Sequence, residues 1–563
     1  MQTLIPDVLT FVVFLVLLSL IRPLLGEYMA RVFSAKLLPG EALICKVLGI
    51  DPQKEMNWKE YAFHLLSFNI LGMVVLFLLL VFQGYLPLNP QGFGGFSWNL
   101  ALNTAVSFTT NTNWQAYSGE NTISYLSQMM GLAVQNFLSA STGIVVVLAL
   151  LRGITRAETP YIGNFWVDIT RATLYVLLPI SVFGAIFLVS QGVIQNLDPY
   201  VKVKLLDPAF GGKEQIIPMG PVASQEVIKL LGTNGGGFFG ANSAHPFENP
   251  TPLSNFFECL LMLMIPASLT YTFGKLTGRR RLGLVLYGVM LAIFVSALIF
   301  EYLYMSKPHP DFARMGIEGP YVEGQETRFG ISGSALFGVV TDSAETGAVN
   351  GMFDSYLPLA GMIPLMLMAL GVAFGGVGAG LYGMIAYMII SAFIAGLMVG
   401  RVPEFLQKKL YPRDMWASVI AALTSTFLIL FLSSVALKTK AGTTSILNPG
   451  PHGITEVLYA YTSTANNNGS AFAGLNANTI FYNLSTAFAM FVGRYVPIVA
   501  LLFLAGSFSH KKTVPQSPHN LREDSLVFAI WLIFVILLIN VLGLFPALSM
   551  GPVLEHFLLY AGN

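Results

Sequence analysis

Long apolar runs alternate with short polar stretches along nearly the whole chain. At about 20 apolar residues per crossing, they predict ten membrane spans, at 4–24, 62–84, 130–151, 172–192, 252–274, 282–304, 356–399, 416–437, 484–505 and 525–547. The seventh run is too long for one crossing. It carries Gly371, Gly375, Gly376, Gly378 and Gly380, and each glycine costs ~1 kcal/mol of helix relative to alanine. That cluster predicts two half-helices with an irregular joint at membrane depth, which is tolerated only where it lines water or protein.

Four small polar segments interrupt this pattern: Thr109–Gln115, Leu230–Gly236, Thr341–Gly347 and Ser463–Gly469. Their first residues are 121, 111 and 122 positions apart. Aligned from those starts, the fifth place holds Asn113, Asn234, Glu345 and Asn467, and the seventh holds Gln115, Gly236, Gly347 and Gly469. Each segment closes a short candidate helix: Ser97–Phe108, Pro221–Leu231, Ser332–Val340 or Thr455–Tyr461. Ser97 and Ser332 suit N-caps, and Pro221 suits a first helical position. Helices this short cannot span, so each must dip in and return. Their C-terminal ends, each with a partial charge of about −0.5, then point at whatever lies where the loops meet.

With the first and last spans set aside, the other eight group into four units of outer span, re-entrant loop and inner span. The units are 62–151, 172–274, 282–399 (with the broken inner helix) and 416–505, flanked by 1–61 and 525–563. The expected fold is therefore an all-α polytopic membrane protein of about ten transmembrane helices. Four pseudo-fourfold membrane-pore-membrane repeats surround a central ion pore, with one extra helix at each end.

A desolvated monovalent cation needs several oxygen ligands at once, and glycine lets consecutive carbonyls turn one way. The candidate filter is Asn111, Thr112, Asn113 and Gln115; Gly232, Thr233, Asn234, Gly235 and Gly236; Ser343, Ala344, Glu345 and Gly347; Ala465, Asn466, Asn467 and Gly469. Thr112 and Thr233 would add hydroxyls at equivalent places, while Asn113, Asn234 and Asn467 would brace neighbouring loops. Asp342 and Glu345 either attract cations at the mouth or serve structural donors. Arg494 lies inside the ninth span, where an unpaired charge costs at least ~2.5 kcal/mol. It either sets a positive barrier below the ring or pairs with an acid such as Glu345. Arg401, Glu404, Lys408 and Lys409 follow the broken span, and the lysines read as positive-inside anchors.

Composition agrees with a polytopic bundle: 54% hydrophobic residues, 10% charged and a mean hydropathy of +0.66. A net charge of +1 gives no electrostatic case for nucleic acid. Cys45 and Cys259 match neither a disulfide framework nor a metal spacing. Met1–Thr10 lacks the basic stretch of a cleaved signal, so Ile5–Leu25 reads as a retained span. The loops at 25–61, 152–171, 275–281, 400–415 and 506–524 hold 19 Lys and Arg, against 9 in the longer alternate loops. This predicts that both termini and the polar segments lie outside the cytoplasm.

Other motifs fail. Gly232–Gly240 resembles a phosphate loop but lacks its Lys-Ser/Thr ending. No Asp-Lys-Thr-Gly phosphorylation motif and no soluble stretch of ATP-binding size is found. The seven histidines show no ligand spacing, and His452 reads as shaping a turn in Asn448–Gly453. Asn468-Gly-Ser470 matches a glycosylation acceptor by coincidence. Nothing pairs Asp342, Glu345 or Glu248 with a nucleophile or metal set, as an enzyme would require.

Several stretches resemble the potassium-binding A subunits of Kdp-type potassium-transporting ATPases. They are Met56–Lys59, Tyr85–Pro90, Leu100–Phe108 with Thr110–Gln115, Gln135–Ala140, Pro218–Glu226, Gly232–Phe239, His245–Pro250, Asn448–Gly453 and Asn466–Gly474. The third polar segment, with Asp342 and Glu345, is the weakest match. The resemblance implies the fold of the Trk/Ktr/HKT potassium transporters, with K⁺ as the transported ion and no organic cofactor. It implies a selectivity filter around Gln115, Gly236, Gly347 and Gly469, and an intramembrane loop at Gly371–Gly380 beneath it. Arg494 would be the cationic group below the filter, and Arg401 would lie where a tunnel leads toward the ATPase. The implied partners are membrane lipid, a P-type ATPase catalytic subunit, a C subunit and a small single-span subunit, in a bacterial plasma (inner) membrane. A stand-alone K⁺ channel or ion-coupled carrier of the same fold is the alternative.

Overall fold

One construction recurs four times: an outer helix, a pore helix that stops at membrane depth, and an inner helix. The computed structural model describes residues 4–36, 38–207, 213–515 and 521–561. Repeat one is Trp58–Phe82, Trp98–Thr109 and Ser127–Thr155. Repeat two is Phe165–Ser190, Val222–Leu231 and Pro252–Leu276. Repeat three is Arg280–Met305, Gly330–Ser343 and the pair Pro358–Leu370 and Ala379–Met398. Repeat four is Pro412–Lys438, Pro451–Ala465 and Ile480–Ser509. Leu4–Ser34 packs on Pro252–Leu276, and Leu526–Leu548 packs on Arg280–Met305 and Ala379–Met398.

Among the described residues, ten helices are long and apolar enough to cross a membrane. Strands there form three short two-stranded antiparallel sheets. Burial separates inner from outer helices. The most apolar window is 83% buried in Ser127–Thr155 but 22% buried in Trp58–Tyr85 of the same repeat. An outer face of exposed Leu, Val and Phe suits contact with lipid.

The seventh run breaks where its glycines cluster. Helix Pro358–Leu370 ends on Gly371 at φ 60°, and Gly375, Gly376 and Gly378 follow at 45°, 67° and 94° before helix resumes at Ala379. These left-handed angles exclude helix and suit glycine.

Helix boundaries depart from the sequence expectation where charges are paired. The fourth span begins at Phe165 rather than 172, because Asn164 caps it by accepting from the Trp166 and Val167 amides. Asp168 and Arg171, which looked like loop residues, are buried inside that helix. Arg171 pairs with Glu41 at 2.7 Å, and Asp168 takes both Arg152 nitrogens at 2.5 and 2.7 Å. Lys408 is likewise no surface anchor. It is fully buried, and its ammonium donates to the carbonyls of Gly153 (2.9 Å), Phe508 (2.7 Å) and Arg156. Three donors meet three acceptors, which makes burial of the charge tolerable.

The Arg152–Asp168 pair should be a stability element. Asp168→Ala leaves a guanidinium that is 22% exposed without its partner and should cost ~3 kcal/mol, read as a lower thermal midpoint in detergent. The double variant Arg152→Met/Asp168→Leu should lose less. Equal losses in the two would contradict this.

Candidate ion site where four pore loops meet

All four pore helices end in the same turn. Their C-caps are Thr110, Gly232, Ala344 and Asn466. The next residues, Asn111, Thr233, Glu345 and Asn467, have φ of 69°, 48°, 49° and 59°. The amide after that returns to the helix in every case: Thr112 to the Ser107 carbonyl (3.0 Å), Asn234 to Lys229 (2.9 Å), Thr346 to Thr341 (2.9 Å) and Asn468 to Ser463 (2.8 Å). This is the Schellman pattern of helix termination. A left-handed φ is uncommon for a residue other than glycine, so its recurrence at four equivalent places fixes the register.

That register differs from the alignment of the polar segments by sequence. The caps lie 122, 112 and 122 residues apart, so the second loop slides by one residue and the first by two. Asn113 is then equivalent to Gly235, Gly347 and Gly469, and Thr112 to Asn234, Thr346 and Asn468. Ser343 and Ala465 are the last helical residues of their pore helices, not loop residues. Ser332 lies inside its helix, Pro221 occupies the N-cap, and the fourth helix starts at Pro451 rather than Thr455.

The loops converge. A Cβ on Gly235 would stand 2.7 Å from the Thr112 carbonyl oxygen and 3.2 Å from that of Asn468. A Cβ on Gly469 would overlap the Thr112 carbonyl, and one on Gly347 would overlap that of Asn468. Carbonyls of the first and fourth loops thus press on the bare backbones of the second, third and fourth.

Side chains hold this contact. Asn111 Nδ2 donates to the Thr233 carbonyl at 2.8 Å, and Asn234 Nδ2 donates back to Asn111 Oδ1 and to Ser139 Oγ. Asn467 Nδ2 donates to Thr112 Oγ1 and to the Met490 carbonyl, each at 2.9 Å. Asn113 instead donates to Asn136 on its own inner helix. The Gln115 amide pairs with the Gly237 backbone in both directions, at 3.0 and 3.2 Å. Beside Gly236, a Cβ would meet the Asn113 carbonyl at 2.9 Å. The hydroxyls of Thr112 and Thr233 are committed to bracing, since Thr233 Oγ1 accepts from the Val377 amide at 2.8 Å.

The glycine-rich joint lies directly beneath. Gly375 donates its amide to the Ser343 carbonyl at 2.6 Å. Gly376 stands where a Cβ would meet Thr233 Oγ1 at 3.5 Å and the Ala344 carbonyl at 3.6 Å. Gly378 abuts the Gly143 backbone of the first inner helix. Gly371, Glu345, Asn466 and Arg494 line one cavity of about 90 Å³ below the loops. Arg494 is buried and donates Nη2 to the Ser139 carbonyl at 3.1 Å, and no ion pair joins it to Glu345. Glu345 sits at the inner end of its loop rather than at the mouth. Arg401 stands apart, exposed beyond the far end of Ala379–Met398.

Buried oxygens without a hydrogen-bond partner gather here: Asn113 Oδ1, Asn234 Oδ1, Ser343 Oγ, both oxygens of Glu345 and Thr346 Oγ1. Such atoms are rare in proteins and call for an explanation such as a bound ion. Together with four helix C-termini, they make the site attractive to a cation.

Some residues beside the loops lay in the stretches of resemblance but were not singled out from the sequence. Asn136 and Ser139 matter because the inner helix brings them beside the loops. Lys229 is fully buried, 2.6 Å from Glu226 and 3.4 Å from Glu248, whose other oxygen accepts from the Phe239 amide at 2.7 Å. This network anchors the second loop's outer end. The Glu226–Lys229 spacing in this pore helix was its one visible trace. On the outer side of the fourth pore helix, His452 bridges Glu555 (2.7 Å) and Asp354 (2.8 Å). Ligand atoms of Asp354, His452 and Glu456 lie within 4.8 Å of one another, but both imidazole nitrogens are already engaged. Burial opposes a charged imidazole, yet the hydrogen bonds to Asp354 and Glu555 outweigh it and hold the pKa up at about 10.

Comparison with known proteins agrees with this geometry. The family model described as "Potassium-transporting ATPase A subunit" matches residues 12–557. A "Potassium-transporting ATPase potassium-binding subunit" of Hydrogenobaculum sp. is 55% identical over 99% of both chains. Proteins of the same name from Geobacter sulfurreducens and Serratia proteamaculans are 51% and 52% identical over 98% and 97% of both chains. Among solved structures, the potassium transporter TrkH of Vibrio parahaemolyticus superposes with a TM-score of 0.53 at 13% identity, covering 87% of this chain and 99% of that one. That likeness shows the fold.

The His452 bridge sets a pH dependence. With the unfolded imidazole at ~6.5, its stabilisation is complete below that value, shrinks as pH rises and is gone above about 10. The melting-temperature gap between wild type and His452→Gln should follow this course. A gap independent of pH would contradict it.

Proposed function

Because the chain belongs to the potassium-transporting ATPase A subunit family, we propose that the meeting point of its four loops is a filter that selects K⁺ from outside the cytoplasm. The ion sheds water there and takes loop carbonyls and unpaired oxygens in its place. It then passes below to a P-type ATPase subunit that supplies the energy for high-affinity uptake. A C subunit and a small single-span subunit complete the assembly in the bacterial inner membrane, with both termini on the outer side. The observation that carries this reading is the convergence of four identical helix terminations, three of which carry partnerless buried oxygens.

The glycine joint and Arg494 form the constriction that prevents free flow. Arg494 contributes a positive charge beside the exit, and the joint closes the direct path beneath the loops. Asn111, Asn234 and Asn467 hold the loops at a fixed spacing. That rigidity lets the site favour one ion size or one ligand count.

Gly469→Ala places a methyl on the Thr112 carbonyl. It should weaken apparent K⁺ affinity, or K⁺ over Na⁺ discrimination, at least ~10-fold (about 1.4 kcal/mol), measured as ⁸⁶Rb⁺ uptake by cells. Gly347→Ala should act alike. Unchanged kinetics in both would remove the loops from the ion path. The purified chain alone should hydrolyse no ATP and, in liposomes, pass little K⁺. Sustained flux from this chain alone would favour a channel or carrier.

A further inference from the structure

The two extra helices fill equivalent places. Leu4–Ser34 lies on the inner helix of repeat two, between the outer helices of repeats two and three. Arg22 Nε donates to Thr270 Oγ1 at 2.9 Å, the Tyr28 hydroxyl to the Tyr175 carbonyl, and Ser19 pairs with the Tyr287 hydroxyl at 2.8 Å. Leu526–Leu548 lies on the inner helix of repeat three, between the outer helices of repeats three and four. Trp531 donates to the Ser391 carbonyl and Asn540 to the Tyr387 hydroxyl, each at 3.0 Å, while Gly543 abuts Thr426. Between repeats one and two the outer helices meet directly, with Phe68 and His64 edge-on to Trp166. The groove between repeats four and one, on the inner helix Ile480–Ser509, receives neither extra helix. A cavity of about 700 Å³ stands there.

Its walls are apolar: Leu66 and Ile70 on one outer helix, Ala417 and Ile420 on the other, Val496 and Ala500 on the inner helix. Polarity is confined to one end. Trp58 and Arg413, which open their outer helices, lie there with Trp416. Trp58 is held edge-on to Phe503 at 5.4 Å and over Gly506, where a Cβ would overlap its ring. Lys59 Nζ lies 5.9 Å over the same ring. Among the described residues neither Arg413 nor Lys59 has an ion-pair partner, and the neighbouring Asp414 is taken by Lys511 at 2.5 Å.

Depth decides between occupants. The lining runs from Trp58 to Ile70 and from Phe491 to Phe503, ~18 Å on each helix. That is little more than half of a hydrocarbon core ~30 Å thick. Both helices continue past it, to Phe82 in one and from Ile480 in the other. A spanning helix such as Leu4–Ser34 would need the whole depth, whereas a lipid of one leaflet needs half. Tryptophan belongs at headgroup level, and paired basic residues there attract an anionic lipid.

We propose that this groove holds an acyl chain of an anionic phospholipid from the inner leaflet, with its phosphate on Arg413 and Lys59 beside it. The leaflet rests on the reading that the pore loops open outward. The lipid wedges repeat four against repeat one, behind the turns that carry Met490 and Arg494.

Native mass spectrometry tests this on the complex, purified through a tag on this chain and mixed with phosphatidylglycerol or phosphatidylcholine of the same acyl chains. Wild type should hold one phosphatidylglycerol in preference to phosphatidylcholine. Lys59→Gln/Arg413→Gln should weaken that binding ~30-fold, the contribution of two basic residues at an anionic headgroup. Ala500→Phe, which fills the groove, should lose both lipids. Arg280 and Arg281 are exposed at the same end but outside the groove, so Arg280→Gln/Arg281→Gln should bind as wild type does. An equal loss in that pair, or equal binding of the two lipids by wild type, overturns the site. So does a cryo-EM map of the complex in phosphatidylglycerol nanodiscs that shows a partner's helix in the groove instead of lipid. Should Ala500→Phe fail to assemble, the two charge pairs and the map decide. Lys512→Cys separates the leaflet from the site: reaction with an impermeant maleimide only in broken cells supports the inner leaflet. Reaction in intact cells overturns the leaflet and the orientation together, and the lipid counts still decide the groove.

Discussion

Keeping oxygen atoms unpaired inside a membrane protein, and keeping them still, is the constraint on which the structure depends. Lone pairs in a low-dielectric interior seek any donor within reach. The Schellman terminations meet this demand locally. Each returns the Thr112, Asn234, Thr346 or Asn468 amide to its own helix, so the nearest donors are already engaged. The Thr112 and Asn468 carbonyls then stand against the glycines of the neighbouring loops. Pore helices of 12, 10, 14 and 15 residues bring those terminations to mid-depth, and the inner helices supply Asn136, Ser139 and Met490 as fixed props.

Repeat three departs from the others, and the departures belong together. Its inner helix is the broken one, its loop carries Glu345, and the joint donates hydrogen bonds up to Ser343 and across to Thr233. A continuous helix would present no free amides at that depth. Breaking it loses helical hydrogen bonds, but it recovers them against the undersides of two pore loops. The ring and the floor beneath it are thus one bonded unit, and motion in the joint would be felt at the loops. Arg494 joins the same unit through Ser139, which also touches Asn111 and Asn234.

The glycine cluster, the four polar segments and the ten apolar runs were legible because each rests on local chemistry. Five glycines break a helix whatever surrounds them, and a short helix cannot span a bilayer. The register was harder to read, because Asn113 stands where the other loops have glycine. Asparagine tolerates the left-handed turn, so the repeat is preserved in backbone and hidden in letters. Arg171, Lys408 and His452 were misread for a different reason. Their partners, Glu41, Gly153 and Asp354, lie 130, 255 and 98 positions away, and only tertiary packing makes a buried cation or a bridging imidazole intelligible. The pairing of Arg494 with Glu345 was open from the sequence. Arg494 donates to the Ser139 carbonyl instead and makes no ion pair with Glu345.

The left-handed turn shared by Asn111, Thr233, Glu345 and Asn467 has one more consequence. A ring of loops assembled from four identical chains changes in every quadrant when its gene changes once, so each alteration is tried fourfold or not at all. Here the four loops are written separately along one polypeptide. Selection can therefore retune a single corner, installing a charge in one and leaving amides or a hydroxyl in the others, while the three untouched corners preserve the geometry that makes the experiment survivable.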